Sequence, residues 1–262
     1  MKNIITAFFM AWGNFLTLPC PYKRWNSELK NMMLAFLPSV GAVAGVLWFA
    51  LGVILLKLGI SPVLSSLALT VYIYAVCGFM HMDGYMDVND AILSRRPIED
   101  RVRILKDSTV GAFAVVTLIF LVLGMFASVF EFFISVHRVA GLLPLLVIPI
   151  VSRGVAGTCV LTFKPLSVSQ YLKDYDKPRG IYINIVAVMV GVLVFIVLLL
   201  ATMADARSAS LVSVITASLT TAFVTLLACI RARSNLGGMN GDIAGYSICM
   251  GELGGMISLA LL

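Results

Sequence analysis

The sequence predicts an all-α membrane protein of about seven crossing helices, with one further helix lying along the membrane surface at its N-terminus. Three observations lead there. Of the 262 residues, 60% are apolar and only 12% charged, against roughly half and a quarter in soluble domains. The apolar residues fall in blocks long enough to cross a hydrocarbon layer of roughly 30 Å at about 1.5 Å per residue. The basic residues, in turn, fall on alternate connections between those blocks.

The elements follow in order. Met1–Pro19 opens with Lys2 and an apolar run, the outline of a signal peptide. No small-x-small cleavage site follows, and Trp12, Asn14 and Pro19–Cys20–Pro21 interrupt the run. It reads as an amphipathic helix on the cytoplasmic leaflet. Spans are expected near Met33–Lys57, Pro62–Met82, Val110–Ser135, Val139–Phe163, Ile181–Met203 and Ser208–Ile230. A seventh, Asp242–Leu262, is weaker because it contains Asp242, Glu252 and several glycines. No repeat or low-complexity linker divides the chain, so residues 1–262 read as one membrane domain.

A formal charge of +6 suggests a nucleic-acid partner, but its placement excludes that reading. With the N-terminus cytoplasmic, inner segments hold Lys2, Lys23, Arg24 and Lys30; Arg95, Arg96, Arg101, Arg103 and Lys106; Lys164, Lys173, Lys177 and Arg179; and Arg231 and Arg233. The outer side keeps Lys57, Arg138 and Arg207, while Arg153 lies within a span. This is the positive-inside pattern of a multi-pass protein of the cell (inner) membrane. The outer turns Gly59–Ser61, Val136–Arg138 and Ala204–Arg207 look too short to form a binding site. Function is therefore expected on the inner loops Asp83–Asp107, Lys164–Gly180 and Arg231–Gly241.

Five scattered cysteines with no CxxC pair indicate neither a zinc site nor a disulfide framework. Gly41 and Gly45, and likewise Gly237, Gly241 and Gly245, recur every four residues, a spacing that lets helices approach closely.

The polar chemistry concentrates after the second span, in His81-Met82-Asp83-Gly84-Tyr85-Met86-Asp87-Val88-Asn89-Asp90. On a continuing helix Asp83, Asp87 and Asp90 lie within about 40° of one another, on a stripe roughly 10 Å long. Carboxylates stacked in this way repel. A hard cation relieves the repulsion, and Mg²⁺ takes a couple of carboxylates while sharing its other positions with water and substrate phosphates. The alternative is a solvated acidic face. The basic run that follows includes Arg95, Arg96, Arg103 and Lys106; it is explained largely by positive-inside flanking, yet also suits a diphosphate. Arg153 needs a partner or a polar cavity at its depth. Asp242 begins the last span, where it would cap a helix. Glu252 lies about 15 Å deeper, either as the partner of Arg153 or, the reading favoured here, lining the cavity.

Taken together these motifs resemble the cobalamin synthase family, the adenosylcobinamide-GDP ribazoletransferases. That family carries His-x-Asp-Gly-x-x-Asp-x-x-Asp after a span, as in His81–Asp90. An arginine-rich stretch and a Lys-Asp-Ser-x-x-Gly signature follow, as in Lys106–Gly111. Its Gly-Asp-x-x-Gly and helix-borne glutamate match Gly241–Gly245 and Glu252; Phe15–Pro19 and Ser152-Arg153 are also similar. The chain departs from the pattern at Ala91, where the family usually has glycine, and at Ser94–Pro97, where glycines are frequent. The CDP-alcohol phosphotransferases fit less well, since their later Gly-x₃-Asp-x₃-Asp is missing. A secondary transporter would place its carboxylates at the midplane between repeats.

The resemblance implies Mg²⁺-dependent transfer of phosphocobinamide from adenosylcobinamide-GDP to the 5′-hydroxyl of α-ribazole (or its 5′-phosphate), with release of GMP. It implies Asp83, Asp87 and Asp90 as metal ligands and, with Asp107, as catalytic groups. It implies His81, Arg95, Arg96, Arg103, Lys106, Ser108, Arg153, Asn240, Asp242 and Glu252 as substrate-binding residues. The partners are then these small molecules and the lipid bilayer; a homo-oligomer, or association with other corrinoid-assembly enzymes, stays open.

Overall fold

The computed structural model describes residues 2–167, 169–172, 178–204 and 209–262. Among them the chain is built of helices, with one isolated β-bridge between Pro165 and Met239. In order the helices are α1 (Lys2–Phe15), α2 (Lys30–Ala35), α3 (Leu37–Lys57), α4 (Pro62–Ala75), α5 (Met80–Leu93), α6 (Ile98–Ile104), α7 (Ala112–Ser135), α8 (Pro144–Thr162), α9 (Gly180–Ala204), α10 (Ala209–Leu236) and α11 (Gly241–Ala260). Pro38, Pro62 and Pro144 stand in the first turns of α3, α4 and α8, where a missing N–H costs nothing. Six of the helices are long and apolar enough to cross a membrane, and the bent pair α4–α5 makes a seventh. The chain is a multi-pass membrane protein.

The expected spans are all present, with two changes of shape. Met33–Lys57 is split at Phe36, where the short α2 gives way to α3. Pro62–Met82 stops at Ala75, and the chain leaves in α5 at 81° to α4. Gly78 and Phe79 both have left-handed backbones, with φ of +62° and +60°. Glycine adopts that conformation freely, whereas phenylalanine holds it only where its surroundings impose it. Of the expected outer turn Ala204–Arg207, residues 205–207 lie outside the described residues, as does Ser208, the start of the sixth span. So do Val168 and residues 173–177 of the inner loop, which include Lys173 and Lys177.

Helix α8 is the core, buried along nearly its whole length. Around it α7, α9 and α10 turn Phe120, Val188, Phe195, Leu219 and Phe223 outward, apolar surface that a lipid tail can cover. Helix α3 crosses α8 at the Gly41–Gly45 pair, as its spacing suggested. A Cβ on Gly41 would stand 2.3 Å from the Pro149 carbonyl oxygen, and one on Gly45 would stand 2.5 Å from that of Leu146. The second expected set behaves differently. Gly237, at φ +84°, ends α10, and Gly241 opens α11 with no close neighbour; of the three only Gly245 lies against the backbone of another helix.

The connections expected on one side gather at one end of the bundle. Lys30 reaches the Gln170 carbonyl, Arg101 donates to Asn235, Leu166 donates to Met239, and Arg233 lies over the Phe163 ring. The opposite end carries a hollow of its own. A hollow of about 540 Å³ there is lined by His137, Arg138, Ser210 and Leu262, among others. Its walls are the ends of α7, α10 and α11, so short turns do not preclude a cavity.

Candidate active site

Past its bend, α5 lies against α11, and two glycines set the approach. A Cβ on Gly84 would stand 2.8 Å from the backbone of Asp242, and one on Gly245 would stand 3.1 Å from that of His81. Tyr85 stacks on Tyr246 with ring centroids 5.6 Å apart, and its hydroxyl donates to the Thr117 carbonyl at 3.3 Å. Because Gly84 meets the second residue of α11, the part of α5 from Asp87 onward runs past the start of that helix.

This crossing gathers the carboxylates differently from the expected stripe. Asp83 and Asp242, from different helices, line one cavity of about 150 Å³ together with Asn14, His81, Gln170 and Tyr171. Asp87 is half-buried beside them, within electrostatic reach of the carboxylates of Asp83, Asp242 and Asp90. Asp90 has a second engagement. Its Oδ1 accepts the Ala114 N–H at 3.4 Å, at the N-terminal turn of α7, and a Cβ on Gly111 would collide with it. An exposed helix N-terminus attracts an anion, so Asp90, still within electrostatic reach of Asp87, also engages the start of α7.

The alternative in which Asp242 merely caps α11 is not what the structure has. Asn240 is the cap: its Oδ1 accepts the Ile243 N–H at 3.0 Å, and its amide donates to Asp242 Oδ2 at 2.6 Å. Asp242 is thereby aimed and left free to face α5.

Beneath the cavity, Arg153 and Glu252 form an ion pair, 0% and 1% exposed. Ser152 Oγ donates to Glu252 at 3.2 Å, and Arg153 donates to Cys77 Sγ at 3.2 Å. Glu252 was expected to line the cavity; it does not, because the guanidinium next to it satisfies its charge below the floor. His81 does line the cavity, with a buried Nε2 that has no hydrogen-bond partner.

The remaining predicted residues stand apart. Arg95 ends α5 with φ +54°, a left-handed position glycine usually fills, and it is where the resembling family tends to have glycine. Arg103 pairs with Asp100 at 3.3 Å on the exposed side of α6. Lys106 and Ser108 are exposed. Asp107 accepts the Thr109 N–H at 3.0 Å, which holds its carboxyl below the usual range. With Asp90, Arg96 and Gly111 it walls a second hollow of about 310 Å³. The five cysteines are free.

Asn14, Gln170 and Tyr171 were missed. Asn14 left a sign, since it interrupts an apolar run; Gln170 and Tyr171 left none, being brought in by the Pro165–Met239 bridge.

Among the described residues no three His, Cys, Asp or Glu side chains close on one point as a complete ion cage. The chemistry of the donors nevertheless fits Mg²⁺, which rarely uses an all-protein cage and is held by one or two carboxylates plus phosphate oxygens and water.

The Cobalamin-5-phosphate synthase family matches residues 7–260. The chain belongs to that family. A Clostridium perfringens (strain SM101) adenosylcobinamide-GDP ribazoletransferase is 30% identical over 262 residues, covering 100% of both chains. The enzyme of that name from Clostridium botulinum (strain Alaska E43) is 33% identical over 264 residues, covering 100% of this chain and 99% of its own. One from Halalkalibacterium halodurans is 40% identical over 124 residues, 47% of each chain. No solved structure matches. The chain is thus a transferase of cobalamin biosynthesis, which sets aside the phospholipid-enzyme and transporter readings.

Proposed function

We propose that the chain transfers phosphocobinamide from adenosylcobinamide-GDP to the 5′-hydroxyl of α-ribazole, or of its 5′-phosphate, at the cytoplasmic face of the cell membrane. The bond between the ribazole oxygen and the cobinamide-bearing phosphorus forms as the bridging P–O bond breaks; GMP leaves, and the hydroxyl gives up its proton.

The observation that carries this reading is the crossing of α5 and α11, which brings Asp83 and Asp242 to one cavity with Asp87 beside them. Phosphoryl transfer needs little covalent help from a protein; it needs positioning and charge neutralisation. At about 150 Å³ the cavity suits the reacting diphosphate, while the corrin ring lies outside it. Asp83, Asp87 and Asp242 are the residues that would hold Mg²⁺. When bound, the ion neutralises the diphosphate and the charge that grows on the leaving phosphate. The hydroxyl proton passes to a carboxylate of the cluster that the ion leaves uncoordinated. His81 offers the diphosphate an unused ring nitrogen at the cavity wall. Arg153 and Glu252 act beneath, keeping the floor rigid.

The test is reconstitution. The purified protein, given adenosylcobinamide-GDP, α-ribazole and Mg²⁺, should release GMP and form a cobamide one for one, and should stop on chelation. Turnover that survives EDTA would remove the ion from the reading, and absence of GMP would remove the reaction. A reporter placed between Asp83 and Asp107 should be cytoplasmic; an external one would overturn the assigned face.

A further inference from the structure

The cavity holding Asp83 and Asp242 is too small for the whole donor. Its volume of about 150 Å³ falls below the roughly 300–1,000 Å³ of small-molecule sites. A second cleft of about 340 Å³ opens next to it, between α1 and the segment that follows. Asn14 lines both, so the two are neighbours across that side chain.

The cleft is built of particular chemistry. Phe9 and Tyr22 pack at a tilt of 47° with centroids 5.6 Å apart, and the Arg24 guanidinium lies over the Tyr22 ring at 5.5 Å. Lys23 and Trp25 complete the wall. Cys20 Sγ lies 3.5 Å from the Phe9 carbonyl and 3.4 Å from that of Tyr22, tying the segment down over α1. Positive-inside flanking accounts for cations in this part of the chain. It does not require them to wall a cleft with aromatic rings and a planar guanidinium. Bases stack on such surfaces irrespective of sequence, and a phosphate is held by the adjoining Lys and Arg. The carboxylates stand on the far side of Asn14, where a nucleotide phosphate continues into the diphosphate.

Resting on the transferase reading above, we propose that this cleft binds the purine nucleoside monophosphate half of the activated donor. Tyr22 and Trp25 take the base, Lys23 and Arg24 take the phosphate nearest the nucleoside, and Asn14 guides the bridge into the reaction cavity.

The test measures binding and turnover separately, on the full chain in neutral-lipid nanodiscs. Equilibrium dialysis with labelled GMP should show affinity about tenfold weaker in Tyr22→Ala and in Arg24→Gln, and near normal in Tyr22→Phe. In the steady state, the KM for adenosylcobinamide-GDP should rise in the first two variants while that for α-ribazole stays put. GMP affinity within twofold of wild type in both would overturn the proposal and leave the cationic segment as a lipid-headgroup anchor. The exposed Arg24 carries the test should Tyr22→Ala fail to fold. The two readings fail separately. Wild-type protein that binds GMP through Tyr22 but never releases GMP from the donor contradicts the transferase reading alone. Normal turnover with unaltered GMP affinity in the variants contradicts the cleft alone.

Discussion

Two helix crossings use the same device for different ends. At Gly41 and Gly45, α3 meets α8 so closely that a Cβ would press on a carbonyl oxygen. The charge nearest that contact, on Arg153, is already paired with Glu252, so the product of the crossing is stability. At Gly84 and Gly245, α5 meets α11 equally backbone to backbone, yet the residues beside those glycines are His81, Asp83 and Asp242. Here close approach sets carboxylates against one another, a repulsion the α3–α8 crossing does not meet and that the proposed cation would relieve. One crossing holds the bundle together; the other spends stability on chemistry.

The comparison predicts opposite responses to mutation. Gly41→Leu should have the largest effect, with no folded protein recovered in detergent, because a backbone neighbour cannot move aside as a side chain can. Recovery of a stable Gly41→Leu protein would show that α3 does not rest on α8 as described. Next comes Glu252→Gln, which strands the buried Arg153 and should cost about 3–5 kcal/mol of stability, read as a lowered melting temperature. Its rate per folded molecule should stay near wild type; a large rate loss with unchanged melting would return Glu252 to the cavity. Gly84→Ala should cost turnover more than stability. Displacing α5 from α11 separates Asp83 from Asp242, and misplacement by about 1 Å can lower a rate about 100-fold. Melting lowered as much as turnover would make this crossing scaffold too. Smallest of all is Arg103→Ala, since its pair with Asp100 is exposed; such pairs contribute about 0–1 kcal/mol. A rise in donor KM in that variant would bring α6 into the site.

The helices were legible because twenty apolar residues leave the backbone few alternatives in a membrane. The break between α4 and α5 was not, since only the left-handed pair Gly78–Phe79 marks it and Phe79 gives no sign of that conformation in sequence. For the site, helical spacing placed Asp83 and Asp87 together, but spacing speaks only within one helix. Asp242 joins them from α11, and Asp90 also reaches the start of α7; both depend on which helices touch. The pairing of Arg153 with Glu252 was among the alternatives, because two opposite charges at similar depth have few other ways to be satisfied. Tyr171 and Gln170 enter through a bridge between loops for which no local pattern exists.

The central claim is that carboxylates from two helices act as one site. It is tested most directly by initial rates of GMP release for Asp83→Asn, Asp242→Asn and the double variant, each normalised to folded protein and measured at saturating Mg²⁺. Residues of one unit are strongly non-additive. Each single variant should therefore lose about 100-fold or more, and the double variant should be little worse than either. A single variant that keeps near-normal turnover, or losses that simply multiply in the double, would contradict the account.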